Sequence, residues 1–124
     1  MATILVVDDD PWIREYVGDI LDLEGYDVRF AEDGPAALAS IEEVRPDCVV
    51  LDVMMPGLSG HEVLARIRQK DGGPGLPVVM LTAAADEGQS WQAWGGGADY
   101  FLAKPFDAEQ LLRFLDSLLA PAPQ

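Results

Sequence analysis

Basic side chains are scarce in this chain: 8 lysines and arginines stand against 22 aspartates and glutamates, a formal net charge of −14. A field of that sign repels a phosphate backbone, and no basic patch or basic helix offsets it. Direct nucleic-acid binding is therefore not expected. Cysteine is nearly absent too. Cys48, standing alone, cannot close an intramolecular disulfide, and its place in a strand-like apolar run reads as a small buried hydrophobe. The only histidine, His61, follows Gly60 near a helix start and reads as a plain surface residue, so no His–Cys cluster for zinc exists. No apolar run approaches the ~20 residues that span a bilayer. Met1-Ala2-Thr3 offers neither a basic start nor a small-residue cleavage site, so no secretory signal is expected and a cytoplasmic location is. Glycine is not rare, but it does not form a phosphate loop. Gly57-Leu58-Ser59-Gly60 is neither a Walker loop nor a dinucleotide fingerprint, and Gly95-Gly96-Gly97 comes at the wrong end of its helix to bind an anion. A nucleotide site is not expected.

What is present is apolar and ordered. Of 124 residues 49% are hydrophobic, enough for one domain with its own core. Ile4–Val7 is a short β-branched run, a buried strand. Asp10-Pro11 then opens a helix, with Asp10 as N-cap and Pro11 at the first helical position. Ile13, Val17, Ile20 and Leu21 supply its apolar stripe, and Gly25 ends it. Tyr26–Ala31 alternates roughly, as an edge strand does. Asp33-Gly34-Pro35 opens a second helix with an inner face of Ala37, Leu38, Ile41 and Val44. Cys48–Leu51 is the third strand. Ser59 and Glu62 have capping-box spacing ahead of Val63, Leu64 and Ile67. Val78–Leu81 is the fourth strand. A fourth helix is expected over 83–92, weakened by Gly88 and by Gly95-Gly96 and carrying Trp91 and Trp94. It should be mobile or unusually placed. Tyr100–Ala103 is the fifth strand. Asp107 and Gln110 have cap spacing before a last helix built on Leu111, Leu112, Leu115, Leu118 and Leu119. Residues 1–119 thus form the domain, and 120–124 a tail or the start of a linker.

Strand and helix alternate five times, and the strands are continuously apolar. That is the signature of a parallel sheet covered on both faces, an α/β doubly wound (βα)5 fold of flavodoxin-like type with strand order 2-1-3-4-5. Its site lies outside the strand C-termini, where the order switches between the first and third strands. Those strands end in Asp8-Asp9 and Asp52. Converging carboxylates raise each other's proton affinity, and either protonation or a cation relieves them. Oxygen ligands of this kind suit Mg²⁺ before Mn²⁺ or Ca²⁺. Thr82, past the fourth strand, can offer a hydroxyl, and Lys104, past the fifth, an ammonium. Cations flanking an acidic residue beside a hydroxyl make a phosphoryl site, with an aspartate able to act as nucleophile. The competing reading is that strand-end acids merely cap helices. It accounts for Asp10, Ser59 and Asp107, and poorly for Asp8 and Asp9 together with Asp52.

Five segments in order narrow the choice: Ile4–Pro11, Asp52–Gly60, Leu81-Thr82-Ala83, Gly97–Tyr100 and Lys104-Pro105-Phe106. Together they resemble the receiver domain of two-component response regulators, over roughly Thr3 to Leu119. The resemblance implies roles. Asp52 matches the phospho-accepting aspartate. Asp8 and Asp9 match the acidic pair that organises Mg²⁺ (Mn²⁺ substituting), with Asp9 the direct ligand and Asp8 acting through water. Met54 would add its main-chain carbonyl to the metal. Thr82 matches the switch hydroxyl, Lys104 the lysine that pairs with the phosphoryl group, and Phe101 the switch aromatic, for which plain core packing competes. Lys104–Pro105 is often cis in the family. The implied function is a signalling switch in a phosphorelay. A sensor histidine kinase or phosphotransfer protein would phosphorylate Asp52 with Mg²⁺, changing affinity for a downstream protein or an output domain. Turnover of external substrates is not implied, because no acid or base flanks Asp52 and Met54 offers no group to position water. Self-dephosphorylation should be slow. Arg113 is the only base in the last helix, so a monomer is expected without phosphorylation. A phosphorylation-independent interaction module of the same fold is the alternative.

Overall fold

The structure, a computed structural model, describes residues 2–70, 73–83 and 98–119. Five strands, β1 (Thr3–Val7), β2 (Asp27–Ala31), β3 (Cys48–Asp52), β4 (Val78–Ala83) and β5 (Tyr100–Lys104), form one sheet in the order β2-β1-β3-β4-β5. Every pairing is parallel. The helices are α1 (Pro11–Leu23), α2 (Gly34–Glu43), α3 (Gly60–Gln69) and, last in the chain, α4 (Ala108–Leu119). A 3-10 turn, Gly73–Gly75, precedes β4.

Strand alternation sends successive side chains to opposite faces. On one face Leu5, Val7, Val49, Leu51, Val78 and Met80 pack with Val63, Leu64 and Ile67 of α3 and Ala37 of α2. On the other, Ile4, Val6, Val50, Val79, Leu81 and Leu102 pack with Val17, Ile20 and Leu21 of α1 and Leu111 and Leu115 of α4. Helices thus cover both faces, the doubly wound arrangement the apolar runs imply. Cys48 lies inside the second cluster, where burial pushes its thiol up to about 12. It is a hydrophobe and not a nucleophile.

The helix starts follow from their caps. Asp10 Oδ1 accepts from Trp12 N at 2.9 Å, and Asp33 Oδ1 from Ala36 N at 2.8 Å. Ser59 and Glu62 make both bonds of a capping box. Asp107 and Gln110 exchange the same pair of contacts ahead of α4. Gly25, at φ +88°, supplies the left-handed turn after α1.

Several boundaries differ from expectation. Val44 is not on the inner face of α2: the helix ends at Glu43, and Val44 is an exposed C-cap in extended conformation. Pro46 disfavours helical backbone at Arg45, the residue before it, so the helix has no room to run on past Val44. In β2 the apolar face is only partly covered. Phe30 is half exposed and lies over Gly18 of α1, where a Cβ would meet its ring. Asp52, Thr82 and Lys104 lie within the last residues of β3, β4 and β5, not beyond them. The parallel ladder continues past the apolar runs, pairing Asp52 with Leu81, Thr82 with Ala103 and Ala83 with Lys104. The expected helix over 83–92, with Trp91 and Trp94, lies outside the described residues except for Ala83, which ends β4.

Candidate functional site

The sheet's C-terminal edge brings the expected side chains together. Asp8 follows β1 directly and is fully buried; Asp52 closes β3 and is 4% exposed. Asp9, the next residue, is exposed. Carboxylate oxygens of Asp8, Asp9 and Asp52 all lie within 4.8 Å of one another. Lys104 reaches over from β5, its Nζ 3.0 Å from Asp52 Oδ1 and 3.3 Å from Asp8 Oδ2. Alternation places Asp52 on the same sheet face as Val50, and Lys104 on that of Leu102, so both side chains leave the sheet toward α1 and α4.

The electrostatics show what such a cluster lacks. Burial, and then the charge of Asp8, push the Asp52 carboxyl up to about 6, even with Lys104 alongside. Burial likewise raises Asp8, against the pull of the Asp10 amide and Lys104. For Lys104 burial acts downward, but the bonds and charges of Asp52 and Asp8 outweigh it and hold the ammonium above its usual range. One ammonium therefore only part-compensates three carboxylates. The donor set is all oxygen, with no nitrogen or sulfur ligand, and so fits a hard divalent cation. Asp8, Asp9 and Asp52 are the side chains that would hold it. Met54 lies two residues past Asp52 and is 65% exposed.

Thr82 is fully buried in β4, and among the described residues its Oγ1 has no hydrogen-bond partner. A buried hydroxyl left unpaired costs about 1–3 kcal/mol, and in a native fold it calls for an explanation. It stands on β4, the strand paired with β3, one residue past Leu81, the register partner of Asp52. Phe101 is half-buried on β5 and packs against the cluster under α2 and α3. The Lys104–Pro105 peptide is cis.

Two contributors escaped the sequence reading. Gly60 begins α3 against the end of β3: its amide donates to the Val53 carbonyl at 2.9 Å, and a Cβ there would run into the Asp52 carbonyl oxygen. A glycine at the first helical position, directly after a good cap, was the available signal. Arg14 of α1 donates from Nη1 to the main-chain carbonyl of Asp8 at 2.7 Å. Its signal was a lone cation among acids at a helix start, where the macrodipole disfavours positive charge.

Comparison with known proteins agrees with this geometry. A profile of the response regulator receiver domain matches residues 4–116. The chain is 40% identical over 119 residues to the DNA-binding dual master transcriptional regulator RpaA of Synechocystis, covering 96% of this chain and 49% of that protein. It is 46% identical over 116 residues to the response regulator MprA of Mycobacterium sp. strain KMS, covering 94% of this chain and 50% of the relative. The chain thus spans about half the length of these curated relatives. Among solved structures, chemotaxis response regulator CheY4 of Vibrio cholerae superposes with a TM-score of 0.88 at 36% identity, over 96% of this chain and 99% of that one. The receiver domain of NtrX from Brucella abortus gives 0.87 at 37% identity, over 96% and 99%.

Proposed function

Since the chain belongs to the response regulator receiver domain family, we propose that it is a phosphorylation-dependent switch in which Asp52 accepts a phosphoryl group. The observation that carries the reading is the set of Asp8, Asp9 and Asp52 oxygens within 4.8 Å, with Lys104 at 3.0 Å from Asp52. The donor is a sensor histidine kinase or a phosphotransfer protein. An Asp52 oxygen attacks phosphorus in line, and the donor's phosphorus–nitrogen bond breaks as the new phosphorus–oxygen bond forms. Bound Mg²⁺, or Mn²⁺ in its place, supplies charge neutralisation for the phosphoryl oxygens. Asp8, Asp9 and Asp52 would hold it, with the Met54 carbonyl. Lys104 keeps its ammonium between Asp8 and Asp52, poised to pair with the transferred group. Thr82, whose hydroxyl has no partner among the described residues, donates to a phosphoryl oxygen.

That new bond and the added charge bias the edge formed by β4 and β5, with Phe101 following Thr82, and so change affinity for a downstream protein or an output domain. Residues 1–119 act as the receiver unit, in the cytoplasm, and the unphosphorylated domain is a monomer. Met54, two residues past Asp52, offers neither carboxylate nor amide to position water, so hydrolysis of the acyl phosphate is slow and external esters are not turned over.

Intact-mass spectrometry after incubation with acetyl phosphate and Mg²⁺ tests this. A gain of about 80 Da, absent in Asp52→Asn and absent with EDTA, is the expected result. A folded, Mg²⁺-binding protein that gains nothing from acetyl phosphate or from a phosphorylated histidine donor would instead be a phosphorylation-independent module.

A further inference from the structure

Asp8 and Asp9 are held in opposite ways. Every polar group of Asp8 has a partner. Its amide donates to the Ala31 carbonyl at 3.2 Å. Its carboxylate accepts from the Asp10 amide at 2.9 Å and from Lys104 at 3.3 Å. Its main-chain carbonyl accepts from Arg14 at 2.7 Å. Asp9 is exposed, and its carboxylate takes no hydrogen bond among the described residues. Yet that carboxylate lies in the cluster with Asp8 and Asp52. Its placement must come from the backbone.

The carbonyl that Arg14 binds belongs to the planar peptide group joining Asp8 to Asp9. Holding that plane fixes the torsions on either side of it, and with them the direction of the Asp9 Cα–Cβ bond. On the far side, the Asp10 amide is tied to Asp8 Oδ1, and Asp10 itself caps α1. The turn is therefore clamped from both ends, and among the described residues Arg14 is the only side chain gripping its first peptide. A cation near the start of α1 works against the helix macrodipole, so its place there asks for a reason other than helix stability. Its grip is on the main chain: Nη1 meets the Asp8 carbonyl oxygen and not a carboxylate.

We propose that Arg14 is a positioning residue for divalent-cation binding, holding the Asp8–Asp9 peptide so that Asp9 faces Asp8 and Asp52. The inference rests on the reading of this cluster as a Mg²⁺ site. The test is calorimetric titration of Mg²⁺ into the full chain, for wild type, Arg14→Met, Asp9→Asn and the double variant. Stability of each is measured in EDTA by urea unfolding. Arg14→Met keeps the apolar stem and removes the donors. Its Mg²⁺ affinity should fall roughly 10- to 100-fold, the range found when an outer partner of a metal ligand is lost. In the Asp9→Asn background the same change should add less than about twofold, since Arg14 acts through Asp9. If Arg14→Met does not fold, Arg14→Gln, too short to reach the carbonyl, is read the same way. Unchanged affinity in a folded variant overturns the proposal, as does an equal loss with and without the Asp9 carboxylate. A purely structural arginine would lower stability in EDTA and leave affinity alone. Failure of wild type to bind Mg²⁺ overturns both this inference and the reading beneath it, whereas wild-type binding with an unaffected variant overturns this inference only.

Discussion

Burial and the charge of Asp8 hold the Asp52 carboxyl at about 6, well above its ordinary 3.8. The sign of the consequence follows from proton binding. Between about pH 4 and pH 6 the folded protein binds more protons at this residue than the unfolded chain does. Stability therefore falls as pH rises through that window and stays low above it. At pH 7.5 the folded state carries the whole penalty of an ionised, buried carboxylate. Asn keeps the shape and removes the charge, and Lys104 keeps Asp8 as a partner. Asp52→Asn should thus be more stable than wild type in EDTA at pH 7.5, by roughly 3 kcal/mol. The gain should vanish by pH 4, where wild-type Asp52 is protonated. Urea midpoints at the two pH values measure it, and an Asn variant less stable than wild type at pH 7.5 would mean that Lys104 more than offsets the repulsion. On the proposed function, the site is in this sense stability set aside for a cation and a phosphoryl group.

At the scale of elements, the site depends on how closely the start of α3 meets the end of β3. Gly60 sits where a Cβ would strike the Asp52 carbonyl and crowd the Val53 Cα. Both are backbone and cannot step aside as a flexible side chain could. Gly60→Ala should cost about 1–3 kcal/mol, the scale of overpacking, and should slow phosphorylation by shifting the strand end that carries Asp52. Ser59→Gly, which disturbs the cap without adding volume, is the control: it should lower stability by a few tenths of a kcal/mol and leave the phosphorylation rate unchanged. This contact also shows where sequence reading stops. The strands were legible because both faces are buried, which makes runs such as Cys48–Leu51 continuously apolar. The strand order, and with it the meeting of Asp8, Asp9 and Asp52, followed from the alternation of strands and helices. The strand ends were not legible, because Asp52, Thr82 and Lys104 break the apolar pattern while their backbones still pair. The grip of Arg14 on the Asp8 carbonyl was invisible for a related reason: a backbone acceptor has no sequence signature. Val44 was misplaced because its helical phase was right but Pro46, two residues on, ended the helix first.

Across the whole molecule, the charge of −14 adds a diffuse repulsion to the local one. The two respond differently to ions. Monovalent salt screens exposed charges over a Debye length of about 8–10 Å and should raise the unfolding temperature gradually, with no saturation at a particular stoichiometry. Asp8 and Asp52 are buried, and screening reaches such groups much less well. A cation bound among them is a different matter, because it associates with the folded chain alone. At ten times its dissociation constant it adds about 1.4 kcal/mol by mass action. Thermal unfolding in MgCl₂ and in NaCl at matched ionic strength separates the two contributions. Mg²⁺ should stabilise wild type beyond NaCl by that saturable amount. Asp9→Asn, with weaker Mg²⁺ binding, should lose most of that excess at the same MgCl₂ concentration while keeping the gradual rise. An excess of Mg²⁺ over NaCl that survives undiminished in Asp9→Asn would place the ion on the general acidic surface and not at the sheet edge.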